Sequence, residues 1–524
     1  MSIHIASNES LSSEKPVNAP VNILAREAGL YCRAALLPGG WAQGVRIAHA
    51  NGHITAVESG VAAQPGDELV SVALPGVPNV HSHAFQRGMA GLTERRGSPA
   101  GAGNVGGSTG EVDSFWSWRE LMYRFVERLT PEDLESIAAL AYAEMLEAGF
   151  TRVCEFHYVH HDAGGKPFSD VAEMGGRIAA AAAGTGIALT LLPVFYAHGG
   201  FGGTPPSIHQ ARFVNDVEQY GRLVEASRRA VASLDDAVVG IAPHSLRAVT
   251  PHELRSILPV AAGGPVHIHI AEQVREVREC EAALGARPVQ WLLAEMPVDA
   301  RWCLVHATHV THAEVTALAA SGAVAGLCPI TEANLGDGVF PAAAYQANGG
   351  AYAIGSDSNV LISLSEELRL LEYGQRLRDG ARNVMAGAPG KSTGRVLFDN
   401  VVRGGAQAAG LTLGAAAASA VRAIGESDVA MRGVPTAPAG SAILSVPTGL
   451  SVGAPADIVS LVDDVAFTGR GDDAILDTLI FASSRGLVDC VWRAGRKVVA
   501  GGAHRSRAAI AARFRATVQR LVAA

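Results

Sequence analysis

Two histidines separated by one residue, His81 and His83, stand where the apolar run LPGVPNV ends. Residues two positions apart on a β-strand point to the same side, so both imidazoles can reach one metal ion. Taken alone this pair is weak evidence, because an isolated histidine is more often a hydrogen-bonded core or loop residue. Other apolar runs end in the same way, and the segments HIHIAE, LVHATH and GSDS contribute His267, His269, Glu272, His306, His309 and Asp357. Titratable groups that recur at the ends of apolar runs indicate a shared site.

The residue types in this set are those that bind zinc or ferrous iron, because neutral imidazole and carboxylate ligands suit both metals. The opening pair, one histidine of HIHIAE and the aspartate of GSDS would supply four protein ligands and leave room for water. On spacing alone His267 competes with His269, since both face the same side of one strand. The sequence therefore predicts a site for one divalent ion without identifying the metal.

Eight short apolar runs between residues 74 and 413 must position these groups, and helix-compatible stretches rich in Ala, Leu and Glu separate them. The runs are LPGVPNVHSH, TRVCEFHYVHH, IALTLLPVFYAH, AVVGIAPHS, PVHIHIAE, WCLVHATH, AVAGLCPIT and AYAIGSDS. This alternation predicts an α/β fold, a parallel (β/α)8 barrel of the TIM type, in which catalytic groups follow the carboxyl ends of the strands. A doubly wound open sheet is the competing topology. It is disfavoured because no Gly-rich phosphate-binding turn follows the early runs.

The flanks of the barrel have different patterns. Strand-like alternation in residues 21–73 and 450–503 predicts a small flanking β-sandwich built from N- and C-terminal segments. Residues 504–524 have helical periodicity. Composition further predicts a mobile tail at 1–20 and flexible insertions at 95–114 and 414–449.

Bulk composition excludes several classes of function. The 524 residues are 48% hydrophobic and 18% charged, enough to bury a large core, and the formal charge of −8 offers no basic face for nucleic acid or an anionic membrane. The polar start lacks the apolar segment of a secretory signal, and we find no apolar run of about 18 residues that would span a membrane. The six scattered cysteines are typical of a reducing compartment. We therefore expect a cytoplasmic protein.

The order of these elements resembles the amidohydrolase superfamily, metal-dependent hydrolases on a (β/α)8 barrel flanked by a β-sandwich. The pattern is similar to its single-metal deaminase branch, in which the histidine of the fifth strand is followed three residues later by glutamate. The segments HSHAFQRGMAGL, PHSLRAVTP, VHIHIAEQ, TEANLGDG and GSDS resemble those of the formimidoylglutamate deiminases of histidine degradation. That resemblance implies hydrolysis of N-formimidoyl-L-glutamate to N-formyl-L-glutamate and ammonia. Asn359 stands where this family is expected to have a histidine.

The resemblance also implies roles for individual residues. It makes four of them the metal ligands: His81, His83, His269 and Asp357. The ion, most simply Zn2+ with Fe2+ also compatible, would activate water by lowering its pKa. Asp357 would accept the proton of that water, and His306 would orient and polarise the nucleophile. Glu272 would carry a proton to the departing nitrogen, which must leave as neutral ammonia.

A small dianionic substrate favours arginine, which binds carboxylates with two parallel hydrogen bonds. By resemblance, the substrate-binding residues are Gln86, Arg119, Tyr158, His244 and Arg247. Arg119 is further expected to reach into the active site of a neighbouring subunit, which predicts a homodimer. Without the resemblance, a surface ion pair is the commoner fate of either arginine.

Two other functions compete with this interpretation. A deaminase of a heterocycle such as guanine would share the metal site but would need groups that stack on a base in place of Arg247 and His244. A non-catalytic barrel that serves as an assembly scaffold would be expected to lose metal ligands, whereas all four positions are filled here.

Overall fold

A computed structural model describes residues 29–94, 115–411, 449–483 and 486–523. The predicted tail at 1–20, the predicted insertion at 95–114 and nearly all of the predicted insertion at 414–449 lie outside the described residues.

The strands, numbered in chain order, are β1 Gly29–Leu37, β2 Gly40–Ala50, β3 His53–Glu58, β4 Glu68–Pro75, β5 Val77–Ser82, β6 Phe150–His157, β7 Ala188–Phe195, β8 Val238–Val239, β9 Ala242–Pro243, β10 Val266–Ile270, β11 Trp302–His306, β12 Val324–Leu327, β13 Ala351–Ile354, β14 Ile458–Leu461, β15 Val488–Arg493, β16 Arg496–Ala500 and β17 Ala503–His504. The α-helices span Phe115–Glu127, Pro131–Glu147, Glu173–Thr185, Val217–Ala230, Pro251–Ile257, Val274–Leu284, Pro288–Glu295, His312–Ser321, Pro329–Leu335, Ala342–Ala347, Leu364–Asp379, Thr393–Ala408, Asp473–Asp477 and Arg507–Ala523.

The strands from β5 to β13 form a closed parallel barrel. Strands β5, β6, β7 and the short pair β8 and β9 are joined by parallel ladders, and so are β10, β11, β12 and β13. A parallel bridge from Ile241 to Val266 joins the two groups on one side, and a bridge from Ser82 to Asp357 joins them on the other. Because the first and last strands meet, the open-sheet alternative is wrong and the predicted (β/α)8 class is confirmed.

Strands from both ends of the chain form one mixed sheet beside the barrel. Its order is β17, β16, β15, β14, β4, β1, β2 and β3. A separate apolar core packs within it, contributed by residues such as Ile47, Ile458 and Trp492. The sheet is linked directly to the barrel at Gly76, between β4 and β5, where a Cβ atom would lie 2.3 Å from the Thr151 side chain. Only glycine fits there, so the sheet fixes the start of the strand that carries His81. The domain boundaries themselves stay a prediction.

The main core lies between the barrel and its helices. Helix Pro131–Glu147 begins with a capping box, in which the Thr130 hydroxyl accepts from the Asp133 N–H and the Asp133 carboxylate accepts from the Thr130 N–H. It buries residues such as Ile137 and Leu146 against the barrel. All six cysteines are buried as free thiols. Among the described residues, none of the helices is both long and apolar enough to cross a membrane.

Candidate active site

Four buried side chains converge at the carboxyl ends of the barrel strands. His81 and His83 lie at the end of β5 with their ring centroids 4.7 Å apart. The Nε2 atom of His269, on β10, lies 3.0 Å from the Nε2 atom of His81. One carboxylate oxygen of Asp357, just after β13, lies 3.5 Å from His81 Nε2 and 3.4 Å from His83 Nε2. The structure thus brings all four sequence-predicted ligand residues to one place.

Backbone bonds between the first and last strands hold Asp357 in this position. The Asp357 N–H donates to the His81 carbonyl, and the His83 N–H donates to the Asp357 carbonyl, both at 2.9 Å. Gly355 permits this close approach, because a Cβ atom there would lie 2.6 Å from the His81 backbone nitrogen.

Asn359 strengthens the same junction. Its amide nitrogen lies 3.1 Å from the Ser82 hydroxyl and 3.1 Å from the carbonyl oxygens of His83 and Asp357. Its φ angle of 55° lies in the left-handed region, which asparagine tolerates better than most residues. The departure from the family's expected histidine therefore places a buried amide that links both strand ends.

The protonation states of these groups fit a divalent cation. Burial lowers the pKa of His81 to about 3, even though its hydrogen bond to Asp357 acts in the opposite direction. Burial also lowers the pKa of His269 well below its usual value. Burial alone would raise the pKa of Asp357, but the hydrogen bond and charge of His81 hold it below its usual range. The Nδ1 atom of His83 bonds the Phe156 carbonyl at 2.9 Å, which leaves Nε2 directed at Asp357. Neutral imidazoles beside an ionised carboxylate are the donor set that zinc and ferrous iron accept.

His306 lies next to this cluster, and a hydrogen bond at Nδ1 fixes its ring. The ring stacks on His269, with centroids 5.6 Å apart and planes 10° apart. Its Nδ1 atom lies 3.2 Å from a Glu332 carboxylate oxygen, which also accepts the Cys328 N–H. Because an ionised carboxylate only accepts, Nδ1 carries a hydrogen. Nε2 lies 3.8 Å from both Glu272 Oε1 and Asp357 Oδ2 and therefore faces the site.

The charges around His306 and Glu272 shift the pKa values of both groups. Burial lowers the pKa of His306, but the carboxylates of Glu272, Glu332 and Asp357 outweigh this effect and raise it to about 10. Burial raises the pKa of Glu272, and the nearby Asp357 carboxylate raises it further. Glu272 is thus able to hold and release a proton near neutral pH.

All five sequence-predicted substrate-binding residues line the pocket above this cluster: Gln86, Arg119, Tyr158, His244 and Arg247. The Gln86 amide donates to the Tyr158 hydroxyl at 2.9 Å. Burial lowers the pKa of His244 well below its usual value, and the positive charge of Arg247 lowers it further, so its imidazole is neutral. The pocket is therefore lined by the neutral imidazole of His244 and by the guanidinium groups of Arg119 and Arg247.

Arg119 lines the pocket of its own chain, with its guanidinium carbon 5.6 Å from the centre of the Tyr123 ring. Helix Phe115–Glu127 also brings Trp118 and Met122 to this pocket. The expectation that Arg119 reaches into a neighbouring subunit stays a prediction.

His267, the competing ligand on spacing alone, lies apart from this site. Its Nε2 atom bonds the Ala408 carbonyl oxygen at 2.8 Å, at the end of helix Thr393–Ala408. It belongs to none of the candidate metal-binding groups found among the described residues.

The sequence analysis did not identify several residues that border the site: Tyr123, Tyr196, Gln210, Glu332 and Asp337. Three of them had a sequence signal, since Tyr196 lies near the end of the third apolar run and both Glu332 and Asp337 lie in TEANLGDG. Tyr123 and Gln210 had none, because a helix and a short 3-10 turn bring them there.

Comparisons with known proteins agree with this architecture. The amidohydrolase family model matches residues 72–392, and the model of the N-terminal domain of formimidoylglutamate deiminase HutF matches residues 29–71. A formimidoylglutamate deiminase of Pseudomonas aeruginosa is 46% identical over 91% of this chain and 96% of its own. An 8-oxoguanine deaminase of the same organism is 26% identical over 86% of this chain and 88% of its own.

A solved structure supports the same assignment. The crystal structure of an amidohydrolase from Brucella melitensis is 49% identical, with a TM-score of 0.83, and the match covers 95% of this chain and all of the other. An adenosine deaminase from Xanthomonas campestris with bound zinc shares the fold at 20% identity, with a TM-score of 0.71 over 95% of this chain and 99% of its own. The chain therefore belongs to the amidohydrolase family and, within it, to the formimidoylglutamate deiminases.

Proposed function

We propose that this protein hydrolyses N-formimidoyl-L-glutamate to N-formyl-L-glutamate and ammonia. The observation that carries the proposal is the combination of two arginines, Arg119 and Arg247, with the cluster of imidazoles and carboxylates in one pocket. Two guanidinium groups suit a substrate with two carboxylates. The P. aeruginosa relative named formimidoylglutamate deiminase supports this choice.

One divalent ion is part of the proposal. The residues that would hold it are His81, His83, His269 and Asp357, and their donor set suits Zn2+ best, with Fe2+ also accepted. When bound, the ion would supply Lewis-acid activation of water.

The chain's own residues perform the proton transfers. Asp357 is kept ionised and accepts the proton that water loses on attacking the formimidoyl carbon. The His306 Nε2 group lies 3.8 Å from both Asp357 and Glu272, so it orients the reacting oxygen between them. Glu272 gives a proton to the departing nitrogen of the formimidoyl cation, the carbon–nitrogen bond breaks and ammonia leaves. As the formyl C=O forms, the remaining hydroxyl proton returns to Glu272. Arg119 and Arg247 hold the carboxylates, and Gln86, Tyr158 and His244 complete the pocket wall.

The setting that we propose for this reaction is histidine catabolism in the cytoplasm, carried out by a homodimer. We propose neither a nucleic-acid partner nor a membrane, because the net charge of −8 offers no basic surface for either.

The competing heterocycle deaminase fits this pocket less well. An 8-oxoguanine deaminase is among the relatives, at 26% identity. A neutral heterocycle offers no carboxylate to the two guanidinium groups of Arg119 and Arg247, which line this pocket. The scaffold alternative is disfavoured because the candidate ligand set is complete.

Ammonia release by metal-loaded protein tests the proposal, with N-formimidoyl-L-glutamate and guanine compared in parallel. Metal content of protein purified without chelator is measured on the same sample. We expect turnover of the formimidoyl substrate alone and about one equivalent of metal per chain. Turnover of guanine alone would replace the assignment with the heterocycle deaminase. Metal-free protein whose stability ignores zinc would support the scaffold.

A further inference from the structure

A pair of phenol groups lies in the pocket beside the two arginines, and the proton transfers described above do not use it. Tyr123 comes from helix Phe115–Glu127 and Tyr196 follows β7 directly, and both side chains line the pocket. The buried side chain of Gln210 joins them from behind. Its amide nitrogen donates to the Tyr123 hydroxyl at 3.2 Å and to the Tyr196 hydroxyl at 2.5 Å.

The orientation of the Gln210 amide is fixed by the chain. Its carbonyl oxygen accepts the Ser207 N–H at 2.7 Å, so the NH2 group is the end that faces the phenols. Both phenol oxygens therefore accept a hydrogen bond from one donor. Since each phenol also owns one proton, two protons remain to be directed elsewhere.

One of these protons is used within the pair. The two hydroxyls hydrogen-bond to each other, so one phenol donates to the other. The second proton belongs to the phenol at the end of this chain of hydrogen bonds. The two guanidinium groups that act on Tyr196, those of Arg119 and Arg247, have only donors, so neither accepts this proton. The hydroxyl is therefore able to donate to an acceptor of a bound ligand.

The same space is surrounded by positive charge. The Arg119 guanidinium lies 5.6 Å from the centre of the Tyr123 ring, and both Arg119 and Arg247 interact electrostatically with Tyr196. Tyr196 is 3% exposed and Tyr123 is 5% exposed, so water competes little for the hydroxyl. A donor hydroxyl close to two guanidinium groups is suited to an oxygen of a carboxylate.

We propose that Tyr123 and Tyr196, held by Gln210 as a positioning residue, bind one carboxylate of the ligand together with the two arginines. The inference rests on the proposed function for the identity of the ligand but not for any step of the reaction. It makes the pair a determinant of specificity, because a ligand that lacks this carboxylate leaves the hydroxyl without an acceptor.

Binding of the product tests this inference. The probe is N-formyl-L-glutamate, titrated calorimetrically into metal-loaded protein, and the variants are Tyr123→Phe/Tyr196→Phe and Gln210→Leu. We expect the double variant to raise Kd by about 10-fold, the size typical of a lost hydrogen bond to a charged group. Gln210→Leu should raise Kd by about 3-fold or more, because the phenols lose their fixed orientation.

Two analogues locate the effect. N-formyl-4-aminobutyrate lacks the α-carboxylate and N-formyl-2-aminobutyrate lacks the side-chain carboxylate. The fold-increase in Kd should persist with one analogue and disappear with the other, namely the one without the carboxylate that meets the phenols. A matched control is Tyr220→Phe, since that hydroxyl donates to the Pro193 carbonyl outside the pocket and its loss should leave Kd unchanged.

An unchanged Kd for N-formyl-L-glutamate in either variant would overturn the inference. So would an equal fold-increase with all three ligands, because that result would indicate a general disturbance of the pocket. The outcome is separable from that of the proposed function. Wild-type protein that binds N-formyl-L-glutamate but releases no ammonia from N-formimidoyl-L-glutamate would end the proposed function, while the variants would still decide the role of the phenols.

Discussion

The two ends of the barrel differ in how their buried charged groups are paired. At the amino-terminal end, Arg152 on β6 donates to the Leu189 carbonyl at 3.1 Å and to Asp236 at 2.9 Å. Arg493 of the small sheet bonds Asp236 as well, and it pairs with Asp457 at 3.0 Å. Each cation there has an anion of the same chain, which fixes the barrel to the sheet.

At the carboxyl-terminal end, the buried imidazoles and the Asp357 carboxylate face one another, so that their possible metal-ligand atoms lie close together. The Nε2 atoms of His81 and His269 lie 3.0 Å apart, and an Asp357 oxygen lies between 3.4 and 3.5 Å from the imidazoles of β5. Such an arrangement is costly unless a cation joins it. One set of strands therefore carries stabilising ion pairs at its amino-terminal end and the candidate catalytic groups at its carboxyl-terminal end.

The strongest test of this comparison is Asp357→Asn. We expect kcat to fall by at least about 1000-fold, because the amide neither accepts the proton nor balances a divalent charge. Ammonia release and circular dichroism measure the loss and the retained fold. The matched variant at the other end is Asp457→Asn, which should lower the melting temperature and leave kcat intact. Wild-type turnover by Asp357→Asn would contradict its proposed role.

The ion pairs at the amino-terminal end of the barrel can be disrupted separately with the substitution Arg152→Met. We expect the free energy of unfolding to fall by about 3 kcal/mol, because Asp236 loses one of its two buried arginine partners and the buried Leu189 carbonyl loses its hydrogen bond from Arg152. Urea denaturation gives this value, and kcat of the folded variant should match the wild type. Arg222→Met removes an exposed ion pair with Glu218 and should cost less than about 0.5 kcal/mol. A fall in kcat with unchanged stability would reverse the division between the two ends.

A smaller effect is expected for Glu332→Gln at the carboxyl-terminal end. Glu332 fixes the hydrogen on Nδ1 of His306, so its loss should lower kcat by about 10- to 100-fold with little change in KM. The substitution should have no further effect in a His306→Asn background if Glu332 acts through that ring. Glu372→Gln is the control, because that buried carboxylate accepts the Val384 and Met385 N–H groups away from the pocket. Equal losses in both backgrounds would show that Glu332 merely supports the fold.

The smallest effect is expected for the pH dependence of the free energy of unfolding. Burial lowers the pKa of His157, behind the carboxyl-terminal end, to about 3. The unfolded chain binds this proton below about pH 6.5, so the stability is present above that pH and is lost as the pH falls toward 3. At pH 5 the loss amounts to about 2 kcal/mol. His157→Gln should flatten the fall in stability between pH 6.5 and 5, measured by urea denaturation, whereas the exposed His252→Gln should not. An unchanged slope in His157→Gln would contradict a lowered pKa for this imidazole in the folded chain.

The residues that could be predicted from sequence share one property. His81, His269 and Asp357 end apolar runs, and parallel strands of a barrel bring their carboxyl ends together whatever the loops do. Gln210 and Tyr123 follow no such rule, because their contact depends on how the segment after β7 folds against helix Phe115–Glu127. The same long-range packing brings Arg119 to the pocket of its own chain.

Asn359 carries a consequence for synthesis on the ribosome. The junction that it makes with Ser82 joins positions 277 residues apart, so the opening histidines wait for most of the barrel to be translated. A truncated nascent chain that ends before Asp357 lacks both the Asp357 carboxylate and the hydrogen bonds that Asn359 makes to the first barrel strand. The proposed set of four metal ligands is therefore complete only after the last strand of the ring has been translated.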